Sequence, residues 1–401
     1  MTGLEVGLSR SRSRDLTIFA TLLSMIAPFS INTYLPSFPD IEAEFGISRA
    51  ILTQSLAVYL LAFAISTLVW GPVADRFGRR LVILSSMAVY TVASIGCALA
   101  DSADMLLFLR VVQGLTASGG VVAARAMIRD ANSAEDARRA MSQVVLYFAL
   151  APAIAPLLGG WLHDQFGWRS VFWFLSGFGA VLGVMGLVVS ETLGRTHRRS
   201  IHPSAVIRTY MDSLLHKSFP ALIFSWALAF AGLFLFIAGA PTIIYDFLHL
   251  GSKDFAWLFL PIVIGTMLGG AISSRLAHRW PAHKTISVGM GSMMLAAVIN
   301  IAVASFNDPG IIGIITPLLL YVTGFAFMIP ALTILALDCL PNHRGTAASM
   351  QGFVQVMAGA GVASFVVPLL SARLLDFVLG QAVFILLAVA LWYRLNKSGF
   401  N

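Results

Sequence analysis

A cation and an amide share one helical face within a long apolar stretch of this sequence. Arg110 lies inside the run 104–128, and Gln113, Gly114 and Ser118 follow it at spacings of 3, 4 and 8 residues. On a helix these positions form one polar, narrow stripe. A cation in a bilayer costs on the order of 2.5 to 3.5 kcal/mol unless it finds water or partners, so we expect Arg110 to face inward. An arginine that reaches the outer interface or bonds to backbone carbonyls is the alternative.

A second cluster of charges and glycines joins two apolar runs, and it reads Gly71-Pro-Val-Ala-Asp-Arg-Phe-Gly-Arg-Arg80. Asp75 can accept hydrogen bonds from amides at a helix start, and it can pair with Arg79 or with a basic residue near the end of the run 104–128. Gly71 and Gly78 permit a tight turn and a close helix approach. Such a cluster can hold one end of a helix bundle shut; arginines that only anchor the topology are the alternative. The candidate gate residues are Gly71, Asp75, Arg76, Gly78, Arg79, Arg80 and Asp130.

The elements that position these residues are apolar runs of roughly 20 residues, which leave little sequence for a water-soluble domain. Hydrophobic residues make up 58% of the chain and charged residues 11%, and the mean hydropathy is +0.84. The runs are continuous, which favours helices over the alternating strands of a barrel. A large soluble protein would need polar surface that this chain lacks. The twelve predicted spans are 15–38, 49–73, 80–100, 104–128, 136–160, 168–190, 219–241, 254–277, 284–305, 310–335, 344–370 and 373–394.

The basic residues predict the orientation of these spans. With the amino terminus inside the cell, 20 of the 26 lysines and arginines fall on the cytoplasmic side, four fall outside, and Arg110 and Arg125 lie within spans. We therefore expect a multi-pass protein of the bacterial inner membrane with both termini in the cytoplasm. The net charge of +7 follows from this topology and does not indicate nucleic-acid binding. The polar start 1–14 precedes too long an apolar run for a cleavable signal peptide.

The longest polar interruption divides the chain into two halves of six spans. The predicted parts are a tail 1–14, a six-helix bundle 15–191, a cytoplasmic linker 192–218, a six-helix bundle 219–394 and a tail 395–401. Apolar residues at helical spacing within the linker suggest a short amphipathic helix on the membrane surface, and a flexible tether is the alternative. Cys97 and Cys339 fall too far apart in this topology to form a disulfide.

The two halves also resemble each other where their second spans end. Gly71 to Arg80 aligns without gaps on Gly270 to Arg279, and the alignment keeps the glycine and two arginines. The sequence thus predicts an all-α polytopic membrane protein with 12 transmembrane helices in two pseudo-symmetric six-helix bundles. Such internal repeats are typical of transporters in which one half rocks against the other around a central site.

The segment from Gly71 to Arg80 resembles the signature loop of the major facilitator superfamily. Two further stretches, Leu109 to Gly114 and Ala151 to Gly160, resemble the twelve-span drug:proton antiporters, and among them the Bcr/CflA-type drug-resistance exporters. Tyr34-Leu-Pro36 and Arg125 to Asp130 extend the resemblance. It implies the major facilitator fold, a monomer in membrane lipid, a small-molecule substrate and energy from the transmembrane proton gradient. No cofactor, metal, nucleic acid or enzymatic activity is expected.

The resemblance also assigns roles to residues. Arg110 is implicated in coupling or substrate binding. The fifth span reads as a kinked, small-faced helix, which the family associates with export, and we expect it to pack on Gly265, Gly269 and Gly270 of the eighth span. Packing glycines without a functional role are the alternative. The export-motif residues are Pro152, Pro156, Gly159 and Gly160.

Polar and aromatic residues within the spans are the candidates for a substrate cavity. Amides in a bilayer seek an inward face, whereas an aromatic stripe such as Trp226, Phe230 and Phe234 is also compatible with plain helix packing. The candidates are Asn32, Tyr34, Gln54, Tyr59, Arg110, Gln113, Tyr147, Trp226, Phe230, Phe234, Tyr321, Gln351 and Gln355.

A carboxylate within the membrane is missing from this set. None of the 19 acidic residues falls in the middle of a span, and Asn32 or Thr33 stands where the family often carries an aspartate. A buried carboxylate could exchange a proton near neutral pH and attract a cationic drug, which an amide or a hydroxyl cannot do. We therefore expect neutral or anionic substrates, with Arg110 supplying a positive field. Proton coupling would then depend on Asp40, Asp75, a histidine or the substrate itself.

Other functions find less support in the residues. All eight histidines lie in loops or at span ends, and no His-Glu-x-x-His pair or inward acidic pair exists for an intramembrane enzyme. A channel would need a filter loop or rings of charge. A receptor built on a transporter scaffold would bind a ligand without moving it. Among transporters, an exporter of an endogenous metabolite such as a carboxylate siderophore is the second candidate, and an importer is the third.

Overall fold

A computed structural model describes residues 10–148, 150–193, 211–277, 279–306, 310–340 and 344–397. Every regular element in these ranges is helical. The helices are α1 Arg10–Asn32, α2 Phe38–Phe45, α3 Arg49–Phe77, α4 Arg79–Ala98, α5 Ala103–Ala131, α6 Ala134–Phe148, α7 Ala151–Phe166, α8 Arg169–Val188, α9 Phe219–Ala238, α10 Phe255–Leu276, α11 Ala282–Ala304, α12 Gly310–Asp338, α13 Arg344–Gly361, α14 Val367–Leu370 and α15 Leu374–Lys397.

The predicted class of fold is confirmed. Within the described ranges, 11 helical segments are long and apolar enough to cross a membrane. Apolar side chains stand exposed along their outer faces, for example Val92 at 67% and Val188 at 85%. Lipid tails can cover such surfaces, whereas in water exposed apolar surfaces of this size would favour aggregation.

The fifth predicted span, 136–160, is described as two helical pieces on either side of residue 149. The first piece, α6, ends at Phe148 and the second, α7, begins at Ala151. Pro152 lies in the first turn of α7, where its missing amide costs nothing. Leu150, just before α7, has helical backbone angles.

The described residues form two compact units. One lies within Met1–Ser37 and Leu61–Ile201, and the other within Phe38–Leu60 and His202–Asn401. Residues 194–210 of the predicted linker 192–218 lie outside the described residues, and with them the start of its suggested amphipathic helix. In the described part, residues 211–214 are helical, and Met211, Leu214 and Leu215 are exposed. The outer part of the second span, Arg49 to Leu60, thus groups with helices of the second half of the sequence.

The internal repeat of the sequence reappears in the helix packing of each unit. In the first unit α4, the third span, packs against α5 and α8, and α1 packs against α5, α6 and α7. In the second unit α11, the ninth span, packs against α12 and α15, the corresponding fourth and sixth helices of that half. The third span of each half therefore packs on the fourth and sixth spans of the same half, as an internal repeat requires.

Two π-helical turns interrupt the second unit, Thr242–Phe247 after α9 and Val362–Val366 between α13 and α14. Such turns widen a helix by one residue and redirect the side chains that follow. The first of them carries Asp246, whose ionic contact is described below.

Candidate functional site

An ion cluster occupies the junction between α3 and α4. The Arg79 guanidinium bonds to Asp75 through Nη1, 2.6 Å from Oδ1, and to Asp130 at the end of α5 through Nε, 3.1 Å from Oδ2. The Arg79 side chain is only 6% exposed, while Asp75 is 45% exposed. The structure thus brings together three of the candidate gate residues on one shielded cation, and charge-assisted bonds of this kind are the strong ones.

A third carboxylate, Glu191, completes this cluster and was missed from the sequence. Its two oxygens accept the backbone amides of Arg79 and Arg80 at 3.0 and 3.1 Å. These amides open α4, where the helix dipole favours a negative charge. We expected Asp75 to accept such amides and to pair with Arg79; the pair with Arg79 is present, and the amides of Arg79 and Arg80 bond to Glu191. The signal for Glu191 was its position just after the sixth span, on the side predicted for Arg79.

Gly71 and Gly78 have different structural roles, and so do Arg76 and Arg80. Gly78 has φ +106°, a conformation that favours glycine, and so it makes the turn between α3 and α4. Gly71 lies inside α3, and a Cβ placed on it would have no atom within 4 Å, so it provides neither the turn nor the close approach we expected. Arg80 donates to the Gly186 and Leu187 carbonyls at the end of α8, and Arg76 stacks on Phe77.

Arg110 is part of a polar core inside the first unit. Its side chain has no exposed surface. Nη1 donates to Gln113 Oε1 at 2.9 Å, and Gln113 Nε2 donates to Ser94 Oγ on α4 at 2.8 Å. The guanidinium also lies 4.6 Å from the centre of the Tyr34 ring. Arg110 does face inward, but it faces other helices, and no solvent reaches it in this structure.

The polar residues at the end of the first span and in the outer part of the second are also enclosed. Asn32 is 4% exposed, and its Oδ1 accepts no hydrogen bond from the described residues. Tyr34 and Tyr59 are fully buried. Gln54 donates through Nε2 to the Ser364 carbonyl at 2.8 Å, in the π-helical turn after α13.

Close to Gln54, an ionic contact involves one of the four basic residues that we predicted on the outer side. Arg49, at the start of α3, bonds to Glu42 through Nε at 2.6 Å and to Asp246 through Nη1 at 2.5 Å. All three residues belong to the second unit. From the sequence, Arg49 served only to orient the spans.

The aromatic stripe of the seventh span forms a stack in the second unit. Trp226 and Phe230 are 5.8 Å apart between ring centres, and Phe230 and Phe234 are 5.5 Å apart. Phe325 of α12 joins them at 6.0 Å from Trp226. Trp226 Nε1 is buried and donates to no described residue. The contact with α12 fits the alternative of plain helix packing. The sequence analysis did not identify Phe325 as the partner of this stripe.

The other candidates of the second unit lie in helix contacts. Tyr321 is fully buried and donates to the Ala229 carbonyl at 2.9 Å, in the space that Gly232 leaves open. Gln351 Nε2 donates to Thr333 Oγ1 at 3.0 Å, and Gln355 is half-buried. The side chain of Tyr147 lies outside the described residues.

Among the described glycines of the first unit, the export-motif residue Gly159 has the least room for a side chain. A Cβ added to it would lie 1.8 Å from the Thr33 carbonyl oxygen. Gly265 and Gly269, which we expected to face the fifth span, face the α12 backbone of their own unit, and Gly270 has open space around it. Small residues permit close approach to any neighbour, so the sequence could not identify the partner. Gly160 and Pro156 are buried, and Pro152 is half-buried.

A cavity of about 500 Å³ lies in the first unit, along the first half of α1. It contains none of the candidate residues. Its volume falls in the range of small-molecule sites. The described lining residues are Arg14, Thr17, Ile18, Thr21, Leu22, Met25 and Gln143.

Comparison with known proteins gives the same family as the signature loop. Residues 20–360 match the model of the Major Facilitator Superfamily. The chain is 24% identical over 385 residues to the bicyclomycin resistance protein homolog of Haemophilus influenzae, which covers 95% of this chain and 96% of that protein. It is 28% identical over 337 residues to the multidrug resistance protein MdtL of Escherichia coli, 83% of each chain.

Among solved structures, the chain is similar to a bacterial homolog of the human lysosomal transporter Spinster in an inward-facing, unoccupied conformation. The TM-score is 0.77 at 16% identity, over 96% of this chain and 97% of the other. At this identity the likeness concerns the fold alone.

Proposed function

The chain belongs to the Major Facilitator Superfamily and is a membrane transporter, and from that premise we propose that it exports small neutral or anionic compounds of the drug type. In this proposal the two halves expose a central site to each membrane face in turn, and the transmembrane proton gradient supplies the energy. The protein acts as a monomer in the bacterial inner membrane with both termini in the cytoplasm. The names of the relatives support a role in drug resistance.

The proposed preference for neutral or anionic compounds depends on where the carboxylates lie. In the described spanning helices, each acidic residue falls within two turns of a helix end, as Asp15, Asp75, Asp130 and Asp376 illustrate. A cationic drug would have no opposite charge to bind at mid-depth, and its desolvation would go uncompensated. An uncharged compound does not carry this cost, and an anion can pair with the basic residues near the cytoplasmic face.

Transport by purified protein in liposomes tests this proposal. We expect faster movement of chloramphenicol, a neutral probe, or of 2-naphthoate, an anionic one, when a pH gradient is imposed than without it. Ethidium, a cation, should move no faster than in protein-free liposomes. Efficient ethidium transport without transport of the other two probes would overturn the substrate class. Equal rates with and without the gradient would overturn the coupling.

A further inference from the structure

The 500 Å³ cavity along the first half of α1 has the chemistry of an anion-binding site. Donors for a ligand come from Arg14 and Gln143, while the Thr21 hydroxyl already donates to the Thr17 carbonyl at 2.8 Å. A guanidinium and an amide together match the acceptor oxygens of a carboxylate. The described lining contains no acidic side chain, because Asp15, the residue after Arg14, lies about 100° further around the helix.

The apolar wall of the same cavity suits a ligand with a hydrophobic body. Ile18, Leu22 and Met25 follow Arg14 at spacings of 4, 8 and 11 residues, so they continue from the cation along one side of α1. Ile18, one of these lining residues, is 44% exposed, so a ligand can contact it. A cation at one end and aliphatic and thioether groups beyond it are complementary to an amphipathic acid.

The same face of α1 leads from the cavity to a buried amide. Arg14, Thr21, Met25 and Asn32 are spaced 7, 4 and 7 residues apart, which keeps them within a narrow stripe of a 3.6-residue helix. Asn32 Oδ1 is enclosed and accepts no bond from described residues. The stripe therefore joins an accessible cation to a polar group that retains unused hydrogen-bonding capacity.

We propose that this cavity is the reception site for amphipathic organic anions, with the acid group on Arg14 and Gln143 and the apolar body against Ile18, Leu22 and Met25. The proposal rests on the proposed function and names the first contact of its substrate class. In this proposal the cation that attracts the anionic substrate is Arg14, which is exposed and which a ligand can reach. Arg110, to which the sequence analysis gave this role, has no exposed surface.

Thiol reactivity measures this field without any need for transport. The Leu22→Cys variant is made in a chain whose own cysteines are replaced (Cys97→Ala, Cys339→Ser) and is placed in nanodiscs of zwitterionic lipid. The rates at which this cysteine reacts with an anionic sulfonatoethyl and a cationic trimethylammonioethyl methanethiosulfonate are measured. Each rate is divided by the rate of the same reagent with a small thiol in solution, which removes the difference in intrinsic reactivity. We expect the anionic reagent to be favoured about fivefold, because the charge of Arg14 acts across a partly screened distance.

Changes at Arg14 should then control this preference. Arg14→Lys should keep it, Arg14→Gln should abolish it, and Arg14→Glu should reverse it. The matched control is the Leu99→Cys variant. Its exposed thiol follows the last residue of α4, at the end of the span that is predicted to lie outside the cell, whereas Arg14 is predicted to lie at the cytoplasmic end of α1. The reagent preference of this thiol should not respond to changes at Arg14. An anionic preference at Leu22→Cys that survives Arg14→Gln would overturn the proposal.

Protection by matched ligands identifies the occupant. We expect 2-naphthoate to slow the labelling of Leu22→Cys at least threefold, and the cation naphthalene-2-methylamine to leave it unchanged. Equal protection by both would overturn the anion preference. If nanodiscs of anionic lipid alone give the full protection, a phospholipid occupies the cavity and the proposal is wrong. Because labelling is independent of transport, a chain that binds 2-naphthoate here without moving it would overturn only the proposed function.

Discussion

At the scale of single residues, Arg110 carries its charge where solvent does not reach. Its guanidinium contacts the ring of Tyr34, two residues after α1, and bonds within α5 to Gln113, which continues the contact to Ser94 on α4. A guanidinium can stack on a ring while donating in its plane, which the ammonium of lysine cannot reproduce. Arg110 therefore joins the end of the first span, α5 and α4 within the first unit.

Arg110→Lys should consequently destabilise the protein by about 1.5 to 3 kcal/mol, the usual contribution of a hydrogen bond to a charged group. Thermal unfolding in detergent, followed by intrinsic fluorescence, measures this loss. Arg129→Lys is the matched control, because Arg129 is exposed on the same helix and should leave the unfolding midpoint unchanged. Normal stability of Arg110→Lys with lost transport would instead support the coupling or substrate-binding role that the family resemblance implies.

The sequence could predict that Arg110 points away from lipid, but not whether it lines an open cavity or lies between packed helices. The cost of a cation in lipid excludes the outer surface, yet an open cavity and a contact between helices satisfy that condition equally. For the ion cluster, the loop from Gly71 to Arg80 identified Asp75 and Arg79 because they are close in sequence. Glu191 lies more than 100 residues further on, and only the packing of α4 on α8 brings it there.

At the scale of helices, the contact of α7 with the end of the first span leaves no room for a side chain. The Thr33 carbonyl oxygen lies 1.8 Å from the position of a Cβ on Gly159. Gly159→Ala must move the backbone, and overpacking of this kind costs about 1 to 3 kcal/mol. We expect a clear fall in the yield of folded protein, measured by fluorescence-detected size-exclusion chromatography.

A glycine with open space provides the comparison for this prediction. Gly270 lies inside α10 with no atom within 4 Å of a Cβ. Gly270→Ala should be neutral or stabilise the helix by up to about 1 kcal/mol, since alanine is the better helix former. If the two variants fold equally well, the approach of α7 to Thr33 is less close than in this structure.

Most helices could be placed from the sequence because a bilayer sets their length and apolar composition together. The third span was predicted at 80–100 and found at Arg79–Ala98, and the ninth was predicted at 284–305 and found at Ala282–Ala304. The fifth span, predicted at 136–160, is described as α6 and α7 on either side of residue 149. Hydropathy does not register where a backbone amide is lost, because Pro152 is apolar and continues the run although it removes an amide from the first turn of α7.

At the scale of the whole molecule, the predicted orientation places Cys339 at the cytoplasmic face, just after α12. Burial and, secondarily, the Asp338 carboxylate raise the pKa of the Cys339 thiol above its usual value. Since the thiolate is the reacting form, labelling by a membrane-impermeant maleimide should be slow at pH 7 and should accelerate as the pH rises. We expect this labelling in inverted vesicles and not in intact cells.

Two variants verify the assignment of the labelled thiol. Cys339→Ser should abolish labelling, because Cys97 is fully buried. Asp338→Asn should accelerate labelling at pH 7 by removing the negative neighbour. Labelling of intact cells would reverse the orientation of every span.

The contact of Arg49 with Asp246 lies on the side that the predicted orientation places outside the cell. Arg49 begins the second span and Asp246 follows the seventh, yet the two side chains pair within one compact unit, and Gln54 bonds to Ser364 five residues further along α3. In the alternating access that we propose, a contact between a span of the first half and a span of the second half would have to break when the outer side opens. Asp246→Asn should therefore favour the open state of the outer side.

The Gln54→Cys variant, in a chain without its native cysteines, reports that opening through its rate with an impermeant thiol reagent added outside. An ion pair of this partial exposure contributes about 0.2 to 1 kcal/mol, so Asp246→Asn should accelerate labelling by up to about fivefold. The matched control is Asp376→Asn, which removes a more exposed ion pair, 3.2 Å from Arg373, that does not involve the second span. It should leave the rate unchanged. Equal rates in all three proteins would mean that the Arg49 contact does not restrain the outer side.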